Sequence, residues 1–356
     1  MKGTKLFKSF LCLCLAIGLP VILAGCPTVA KKAEPVGKAY YTFFDTVSFL
    51  YSYAGDSQEI FDENTEAAAG LLEEYHRLFD IYHEYAGINN LCTINKQAGG
   101  EALEVDQKLI EFLLYTKELY TLTNGEMNVM FGAVLRPWHD CRAAAEKDPQ
   151  KASLPNPALL EQAKQHTDIS LLEIDEEKST VRISDPEAQI DVGAIGKGYA
   201  TEKAAGLLSE RNAEGYVLNI GGNIRIIGKK PDQSGWVTGI KDPFDHENNY
   251  AMYVELSDTS CVTSGIYERF FTVDGTRYHH IIDKDTLMPA DHFASVSVIT
   301  KDSGLADALS TALFCMSYED GRALVDSLEN VDVLWIFQDG AQEYTPGIHP
   351  IDKKPE

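Results

Sequence analysis

The most chemically suggestive stretch of the sequence is Asp191-Val-Gly-Ala-Ile-Gly-Lys-Gly-Tyr199, which brings a carboxylate, three glycines and a lysine together. The residues before it are predicted to be extended, and residues 202–209 after it are predicted to form a helix. Gly193, Gly196 and Gly198 would let the backbone approach a ligand, and a helix N-terminus offers free N–H groups to an anion. The stretch matches neither standard nucleotide-binding loop. A phosphate site and a plain strand-turn-helix junction are both open interpretations.

A second candidate site lies in a predicted amphipathic helix at residues 303–316. Asp307 and Thr311 are four residues apart and share one face of this helix, with Ser310 beside them. One carboxylate and two hydroxyls are hard oxygen ligands of the kind that suits Mg²⁺. The alternative is a polar helix face that is merely solvated.

A pair of histidines offers a third kind of chemistry. His279 and His280 are neighbours in a predicted strand, so only one of them can face a given site. A neutral histidine can take a proton from a hydroxyl near neutral pH and act as a general base. The alternative is a structural histidine that is hydrogen-bonded to a neighbour such as Asp283.

The elements that must position these residues are predicted to be a mixture of helices and short strands. Helices are predicted early and late in the chain, at about 68–82, at about 106–120, after Asn156-Pro157, at 303–316 and at 318–328. Strands are predicted at 40–51, 216–220, 224–227, 236–240, 250–256, 270–273, 278–282, 295–299 and 331–337. Residues 141–155 are predicted to be a surface excursion. This order indicates an α+β fold with largely antiparallel sheets, not a doubly wound parallel sheet.

The composition fits a large, acidic, exported protein. The chain has 356 residues, of which 44% are hydrophobic, enough for a sizeable core. Its net charge of −23 would fall to −26 if an export signal carrying Lys2, Lys5 and Lys8 were removed. Such a surface repels nucleic acid, so we expect no nucleic-acid partner.

The N-terminus has the pattern of a lipoprotein signal. Three lysines precede an apolar run at residues 10–24, which ends in Leu23-Ala24-Gly25-Cys26 and resembles the bacterial lipobox. An uncleaved membrane anchor is the alternative, although the run is shorter than a spanning helix requires. We expect a signal peptide at 1–25, lipidation of Cys26, a tether at 26–38, and anchoring by lipid to the outer face of the bacterial cell membrane.

Four cysteines lie beyond this signal and its Cys26. They are scattered in a way that matches no metal-binding pattern. Buried free thiols are expected, and one disulfide outside the cell stays open as an alternative. The four are Cys92, Cys141, Cys261 and Cys315.

In their order along the chain, these stretches resemble the family of FAD:protein FMN transferases, or ApbE family. The resemblance implies an ApbE-like (T-fold-like) domain at 39–346, followed by a loose tail at 347–356. Members of this family cleave the pyrophosphate of FAD, release AMP and join FMN to a Thr or Ser hydroxyl of a target protein. The pieces that carry the resemblance are Phe44-Asp-Thr46, Tyr82, Leu91–Asn95, Thr123–Asn128, Trp138, Asp191–Tyr199, Asn219–Asn223, Gly228, Trp236–Pro243, Ser264–Arg269, His280–Asp283 and Ala306–Ala312.

The resemblance also implies roles for individual residues. His280 would be the base that activates the acceptor hydroxyl. Mg²⁺ would be held by Asp307, which we also count as catalytic, by Thr311 and by the Ala194 carbonyl, with Ser310 adjacent. The acceptors would be exported flavoproteins, such as subunits of membrane redox complexes. FAD would be contacted by Phe44, Tyr82, Glu126, Met127, Asn128, Asp191, Lys197 and Ile281.

The sequence departs from the family pattern at a few positions. Asn128 stands where the family often has aspartate, and Asp45 stands where it usually has glycine. Lys284 and Leu287 replace the proline and glycine of the family's D-P-x-T-G segment. These changes bear on flavin affinity and on the loop near His280 more than on the metal site.

Two other functions fit the same residues. With water as the acceptor, the protein would be an FAD pyrophosphatase. Without catalysis, it would be a flavin-binding lipoprotein that returns FAD intact. Under the transferase hypothesis, the stretch at 191–198 and the helix that carries Asp307 must lie close together in space.

Overall fold

The computed structural model describes residues 35–245 and 249–352. All of these residues belong to one compact unit of mixed helices and strands. The strands are β1 (Val36–Tyr40), β2 (Ser48–Ser52), β3 (Leu103–Glu104), β4 (Leu172–Asp175), β5 (Thr180–Ile183), β6 (Tyr216–Ile220), β7 (Asn223–Ile227), β8 (Trp236–Lys241), β9 (Tyr250–Leu256), β10 (Ser260–Gly265), β11 (Phe270–Val273), β12 (Thr276–His279), β13 (Phe293–Thr300), β14 (Asp332–Phe337) and β15 (Gln342–Tyr344). The α-helices are α1 (Gln58–Phe79), α2 (Leu91–Lys96), α3 (Gln107–Leu122), α4 (Gly132–Lys147), α5 (Pro157–Lys164), α6 (Gly196–Glu210), α7 (Ser303–Cys315) and α8 (Tyr318–Asp326).

The largest sheet of the described chain has eight strands in the order β1-β2-β6-β7-β10-β13-β14-β15. Each neighbouring pair in this sheet is antiparallel. Smaller sheets are formed by β3-β5-β4, by β8-β9 and by β11-β12. The predicted α+β class with antiparallel sheets is therefore confirmed.

Both faces of the large sheet are covered around β13. Val296 and Val298 pack on one face together with Leu309 of α7, while Ile299 packs on the other face with Trp236 and Val254 of the β8-β9 hairpin. All eight residues of β13 are buried as a result. A strand that is covered on both faces needs a nearly continuous run of apolar and small residues, and Phe293–Thr300 supplies one.

Three helices connect this sheet to the predicted site. Helix α1 packs against α6, and α6 packs in turn against α7. Apolar residues of α1, α3 and α6 form one core with β2 and β6, and α7 forms a second core with β10, β13 and β14. The start of α6 and the middle of α7 are therefore fixed against the same sheet.

A small satellite core supports the segment that carries the two histidines. The β11-β12 hairpin packs on α4, where Trp138 contacts Phe271 and Tyr278. The Trp138 indole N–H also donates to the carbonyl of Leu287. These contacts fix the chain just after β12, at His280.

The predicted first strand at 40–51 is wrong as a single element. Residues between β1 and β2 form a turn in which Phe44 and Asp45 have φ of 50° and 52°. The Thr46 N–H donates to the Phe43 carbonyl and closes this turn. β1 and β2 then pair with each other as a hairpin, which strand propensity alone does not show.

Residues 141–155, which are predicted to be a surface excursion, do lie mostly at the surface, but their first half is the end of α4, which continues to Lys147. Val134, Trp138 and Ala145 are buried on one side of this helix, so its polar composition belongs to the solvent-facing side. Asn156 caps the following helix, as predicted, by accepting from the Ala158 N–H. β10 was not predicted, and Ile281 and Ile282 lie beyond the end of β12.

The two ends of the described chain also differ from expectation. Val36 to Lys38, which we placed in the tether, form part of β1. The tail after Pro346 is not loose as far as Asp352, because Ile348 is buried and the Ile351 N–H donates to the Tyr253 carbonyl. The predicted signal peptide and Cys26 lie outside the described residues. Within those residues, none of the helices has the length and apolar character needed to cross a membrane.

The four cysteines beyond the signal are all free thiols. Cys92, Cys261 and Cys315 are buried, and Cys141 is half-buried. Burial raises the pKa of the Cys261 thiol to about 12. The expectation of free thiols is therefore confirmed, and the alternative of a disulfide among these four is not.

Candidate functional site

One cleft gathers most of the residues that the sequence singled out. It is lined by all eight of the predicted FAD contacts and by three other predicted site residues, His280, Ala194 and Thr311. Asp307 and Ser310 are not part of its lining. They lie just behind it on α7, where they are 5% and 0% exposed. The structure thus brings together segments that are more than 260 residues apart, from Phe44 to Thr311.

The glycine stretch forms the start of α6, and its glycines act mainly in packing. None of Gly193, Gly196 and Gly198 has a left-handed φ. A Cβ on Gly198 would lie 2.4 Å from the Asp307 Cβ and 2.3 Å from the Ser303 carbonyl oxygen. Only glycine therefore permits the observed approach of α6 to α7.

The N–H groups at the start of α6 are largely occupied, so the expectation of a free helix N-terminus for an anion is wrong in this detail. The Gly196 N–H donates to the Val192 carbonyl at 2.8 Å. The Gly198 N–H donates to Oδ2 of Asp307, also at 2.8 Å. The positive charge available at this end of the cleft comes instead from Lys197, whose Nζ lies 3.8 Å from Asp307 Oδ2.

Ala194 and Thr311 line the cleft and Asp307 lies behind it, so a backbone carbonyl, a hydroxyl and a carboxylate offer the oxygen donors that a hard cation takes. Burial raises the pKa of Asp307, while Lys197 and the Gly198 N–H act in the opposite direction. The described chain contains no group of three or more His, Cys, Asp or Glu side chains that could hold a metal. One carboxylate with neutral oxygens is nevertheless a set that Mg²⁺ accepts, since this ion keeps several waters or substrate phosphates in its shell.

Ser310 supports this group from behind. Its hydroxyl donates to the backbone carbonyl of Asp307 at 2.9 Å and lies 2.8 Å from the Ser264 hydroxyl. Ser264 is also 3.3 Å from the Thr311 hydroxyl. Ser310 is fully buried with these partners, and its place among the metal residues stays a prediction.

His280 faces the cleft with one ring nitrogen engaged. Its Nδ1 lies 3.2 Å from the Arg269 carbonyl oxygen, and its backbone N–H donates to the same oxygen at 3.1 Å. A carbonyl can only accept, so Nδ1 carries the proton and Nε2 is left as the basic nitrogen. Burial, followed by the charge of Arg269, holds the pKa of His280 well below its ordinary value. A lowered pKa favours the neutral imidazole, in which Nε2 can accept a proton.

His279 has the structural role that was the alternative for this pair. It is buried, and its Nε2 lies 2.9 Å from the Ala290 carbonyl oxygen. Asp283, the neighbour suggested as a partner for a structural histidine, instead accepts from the N–H groups of Asp285 and Thr286. Only one of the two histidines faces the cleft, as predicted.

Two further histidines of the cleft, His76 and His139, were missed by the sequence analysis. His139 of α4 contacts the Tyr82 hydroxyl through Nδ1 at 3.1 Å, and the same nitrogen lies 3.8 Å from Asp191 Oδ2. Burial lowers the pKa of His139, and Asp191 opposes this shift. The other oxygen of Asp191 accepts from the Gly193 N–H at 2.8 Å. The three side chains thus hold one another along one wall of the cleft.

Four cationic side chains line the cleft of a chain whose net charge is −23. Lys197 was predicted, whereas Arg142, Arg269 and Lys284 were not given a role. Lys284 forms an ion pair with Glu126 at 3.2 Å. Burial raises the pKa of Glu126, and the Lys284 pair opposes this. The cleft is also lined by four carboxylates, so these cations balance its acidic groups and can contact an anionic ligand such as a pyrophosphate; the four are Asp45, Asp80, Glu126 and Asp191.

A family model described as the ApbE family matches residues 46–335. The chain belongs to the ApbE family. The matched region contains every cleft segment described above except the turn at Phe44 and Asp45. The predicted family resemblance is therefore confirmed.

Individual relatives agree with the ApbE assignment. A FAD:protein FMN transferase of Treponema pallidum is 34% identical over 272 residues, which is 72% of this chain and 73% of the relative. One of Vibrio cholerae is 28% identical over 333 residues, covering 93% and 95%. The names of both relatives describe transferases.

Solved ApbE structures share the fold. The ApbE protein of Thermotoga maritima has a TM-score of 0.76 at 29% identity, covering 88% of this chain and 97% of that one. The flavin transferase ApbE of Vibrio cholerae has a TM-score of 0.71 at 26% identity, with the same coverage. The expected ApbE-like architecture is confirmed.

Proposed function

We propose that this protein is a flavin transferase that moves FMN from FAD to a Thr or Ser hydroxyl of target proteins, with release of AMP and a requirement for Mg²⁺. The observation that carries the proposal is the convergence in one cleft of a neutral base, a lysine and an oxygen-rich pair. His280 offers Nε2, Lys197 offers positive charge, and Thr311 lies on the cleft wall with Asp307 behind it. Family membership supports the same reaction.

In this reaction the acceptor hydroxyl gives its proton to His280 Nε2. Its oxygen attacks the phosphorus on the FMN side of the pyrophosphate, a new P–O bond forms, and the bridging P–O bond breaks. AMP leaves with the electron pair of that bond. The Arg269 carbonyl holds the imidazole in the tautomer that can accept the proton.

Charge neutralisation is the other requirement of pyrophosphate cleavage. Lys197 and Arg269 lie along the cleft where they can bind phosphoryl oxygens. Asp307, Thr311 and the Ala194 carbonyl are the residues that would hold Mg²⁺, which would add positive charge to the leaving pyrophosphate. The aromatic residues Phe44 and Tyr82 supply flat walls for a ring system.

The proposal is tested by incubating the protein with FAD, Mg²⁺ and an acceptor protein of this enzyme class. We expect a fluorescent acceptor whose mass has increased by one FMN on a single hydroxyl residue. Asp307→Asn, which removes the buried charge, should abolish the product while the far-UV circular dichroism spectrum stays unchanged. Failure of the wild-type protein to modify a competent acceptor would overturn the proposal.

The same experiment separates the alternatives, because His280 could activate water as well as a hydroxyl. AMP release that does not depend on the acceptor would identify an FAD pyrophosphatase. Recovery of all FAD intact would identify a non-catalytic flavin-binding protein. A transferase releases AMP in proportion to the acceptor that it modifies.

For its location, we propose export and anchoring by a lipid on Cys26 at the outer face of the bacterial cell membrane. The lipobox-like Leu23-Ala24-Gly25-Cys26 and the basic and apolar segments before it support this. The acceptors would then be exported flavoproteins, such as subunits of membrane redox complexes. No role with nucleic acid is proposed, because the net charge of the chain is strongly negative.

A further inference from the structure

Helices α6 and α7, which carry the predicted lysine and metal-binding pair, are joined by two reciprocal carboxylate contacts. From α7, Asp307 accepts the N–H of Gly198 in the first turn of α6 at 2.8 Å. From α6, Glu202 accepts the N–H of Ser303 in the first turn of α7 at 2.9 Å. First-turn N–H groups have no partner within their own helix, and a carboxylate there interacts favourably with the helix dipole. Each helix therefore fixes the start of the other.

Glu202 is in turn held by a buried arginine from the large sheet. Arg225 of β7 is 4% exposed and contacts Glu202 through two nitrogens, Nε to Oε2 at 3.0 Å and Nη2 to Oε1 at 3.4 Å. A guanidinium and a carboxylate that meet through two such contacts have a fixed relative orientation. Arg225 also contacts Asp258 at 3.3 Å. The sheet thus determines where the Glu202 carboxylate lies, and with it the start of α7.

Helices α6 and α7 are so close beside the cleft that no side chain fits between them at Gly198. The absence of a side chain at Gly198 brings its backbone against Ser303 and Asp307. In such close packing, a displacement of one helix must move the groups on the other. A shift of α7 relative to α6 would therefore change the spacing between the Ala194 carbonyl and Lys197 on one side and Asp307 and Thr311 on the other.

We propose that Glu202, oriented by Arg225, is a positioning residue for the cation site. Neither residue lines the cleft, so each acts only through the placement of α6 and α7. The inference rests on the proposed function, because it takes Asp307, Thr311 and the Ala194 carbonyl as the groups that hold Mg²⁺. It assigns to the ion pair of buried Arg225 and half-buried Glu202 an effect that can be measured without turnover, on the affinity of the site for a divalent ion.

The test is a titration of Mn²⁺ into the full chain saturated with FAD, without acceptor. Mn²⁺ takes the same oxygen ligands as Mg²⁺, and the electron paramagnetic resonance signal of the free ion disappears on binding. Glu202→Gln keeps the size of the side chain and removes its charge. We expect its dissociation constant for Mn²⁺ to rise roughly 10- to 100-fold, as is typical when a partner behind the ligands is lost. Transfer activity should return when Mg²⁺ is raised to saturation.

Asn64→Ala is the matched control: Asn64 is a buried polar residue of α1 that contacts the opposite end of α6 from the cleft. Asn64 is 6% exposed, accepts from Arg211 Nε at 2.8 Å beyond the far end of α6, and donates to the Tyr216 hydroxyl at 3.1 Å. Its loss should lower the melting temperature without changing Mn²⁺ affinity. Arg225→Lys keeps the buried charge but cannot make the two-nitrogen contact, so it should weaken Mn²⁺ binding as well. It serves in place of Glu202→Gln if that variant is too unstable to purify.

The outcomes are distinct. Weaker Mn²⁺ binding by Glu202→Gln, or by Arg225→Lys where Glu202→Gln cannot be purified, supports the inference when Asn64→Ala binds normally. Normal binding by that same variant in folded form overturns the inference and leaves the proposed function standing, and so does an equal weakening in Asn64→Ala. If the wild-type protein with FAD binds no Mn²⁺, the metal-dependent reaction itself is wrong, and the inference falls with it.

Discussion

At the scale of single residues, His280 combines a tautomer fixed by Arg269 with a pKa that is lowered first by burial and then by the charge of Arg269. The Arg269 carbonyl engages Nδ1, and the Arg269 charge disfavours the imidazolium form. These are the properties of a base that is ready to accept a proton without first losing one.

Replacing His280 by alanine should slow transfer far more than it weakens FAD binding. A lost general base typically costs roughly 100- to 10,000-fold in rate. Single-turnover rates with the acceptor, compared with FAD dissociation constants from fluorescence quenching, give the two quantities separately. A loss of rate that is fully explained by lost FAD affinity would remove His280 from the role of base.

The pH dependence of the rate should reflect the lowered pKa of His280. A base with a lowered pKa stays unprotonated as the pH falls through the usual histidine range, near about 6.5. The acid limb of kcat should therefore lie below that range in the wild-type protein. Arg269→Gln removes one cause of the shift, so the pKa rises and the acid limb moves to higher pH. Profiles of kcat at saturating FAD test this, and an unmoved limb would show that Arg269 does not influence the catalytic group.

The cleft residues at and after the start of α4 were not predicted from the sequence. Phe131, Leu135, His139 and Arg142 all line the cleft, and their spacing of four, four and three residues marks one face of a helix. This spacing is present in the sequence, but no helix was predicted there and residues 141–155 were expected to be a surface excursion. The residues to which the resemblance assigns a role at the site line the cleft, except Asp307 and Ser310, which lie behind it.

At the scale of elements, the contact between α6 and α7 makes a prediction with a built-in control. Gly198→Ala places a Cβ against the Ser303 carbonyl and Asp307, which forces the helices apart and should reduce both stability and transfer. Gly206 lies in the same helix with open space around it. Gly206→Ala should therefore stabilise the protein by up to about 1 kcal/mol through helix propensity and leave the rate unchanged. The free energy of unfolding in urea and the transfer rate are measured for both variants. The same change in both quantities for Gly198→Ala and Gly206→Ala would contradict the packing argument.

A second element, the chain after β15, contributes to stability although it was expected to be loose. Ile348 is 4% exposed and packs with residues of β8 and β9. Ile348→Ala should cost about 2–5 kcal/mol of unfolding free energy. Ile60→Ala is the comparison, because Ile60 is 49% exposed on α1 and its loss should stay within about 0.5 kcal/mol. A similar result for both variants in urea unfolding would mean that the segment is not part of the core.

Element prediction succeeded where the local pattern and the long-range pairing agree. β6, β9 and β11 have the predicted bounds because their apolar residues are local and continuous. β10, with the sequence Ser-Cys-Val-Thr-Ser-Gly, is a strand because β7 and β13 pair with it on either side. The turn at Phe44 likewise depends on the pairing of β1 with β2. Because the local sequence does not show this pairing, residues 40–51 were predicted to form one strand.

At the scale of the whole molecule, the proposed anchor predicts where the protein is found in a cell. Cys26→Ala removes the atom that would carry the lipid. We expect wild-type protein in the membrane fraction and the variant released in soluble form, with unchanged transfer activity in detergent-free buffer. Fractionation followed by mass spectrometry of the N-terminal peptide checks both points. Equal membrane association of the two proteins would argue for the uncleaved anchor instead.

Under the proposed lipidation of Cys26, the position of β1 would limit the distance from the membrane at which the protein acts. β1 begins at Val36, so only residues 27–35 separate Cys26 from the first strand. A fully extended chain spans at most about 3.6 Å per residue, so Cys26 and Val36 can be at most about 35 Å apart. Under the proposed lipidation, flavin attachment becomes a reaction confined to a thin layer above the bilayer. The height of an acceptor's hydroxyl above the lipid, and not only its local sequence, would then decide whether that protein receives its flavin.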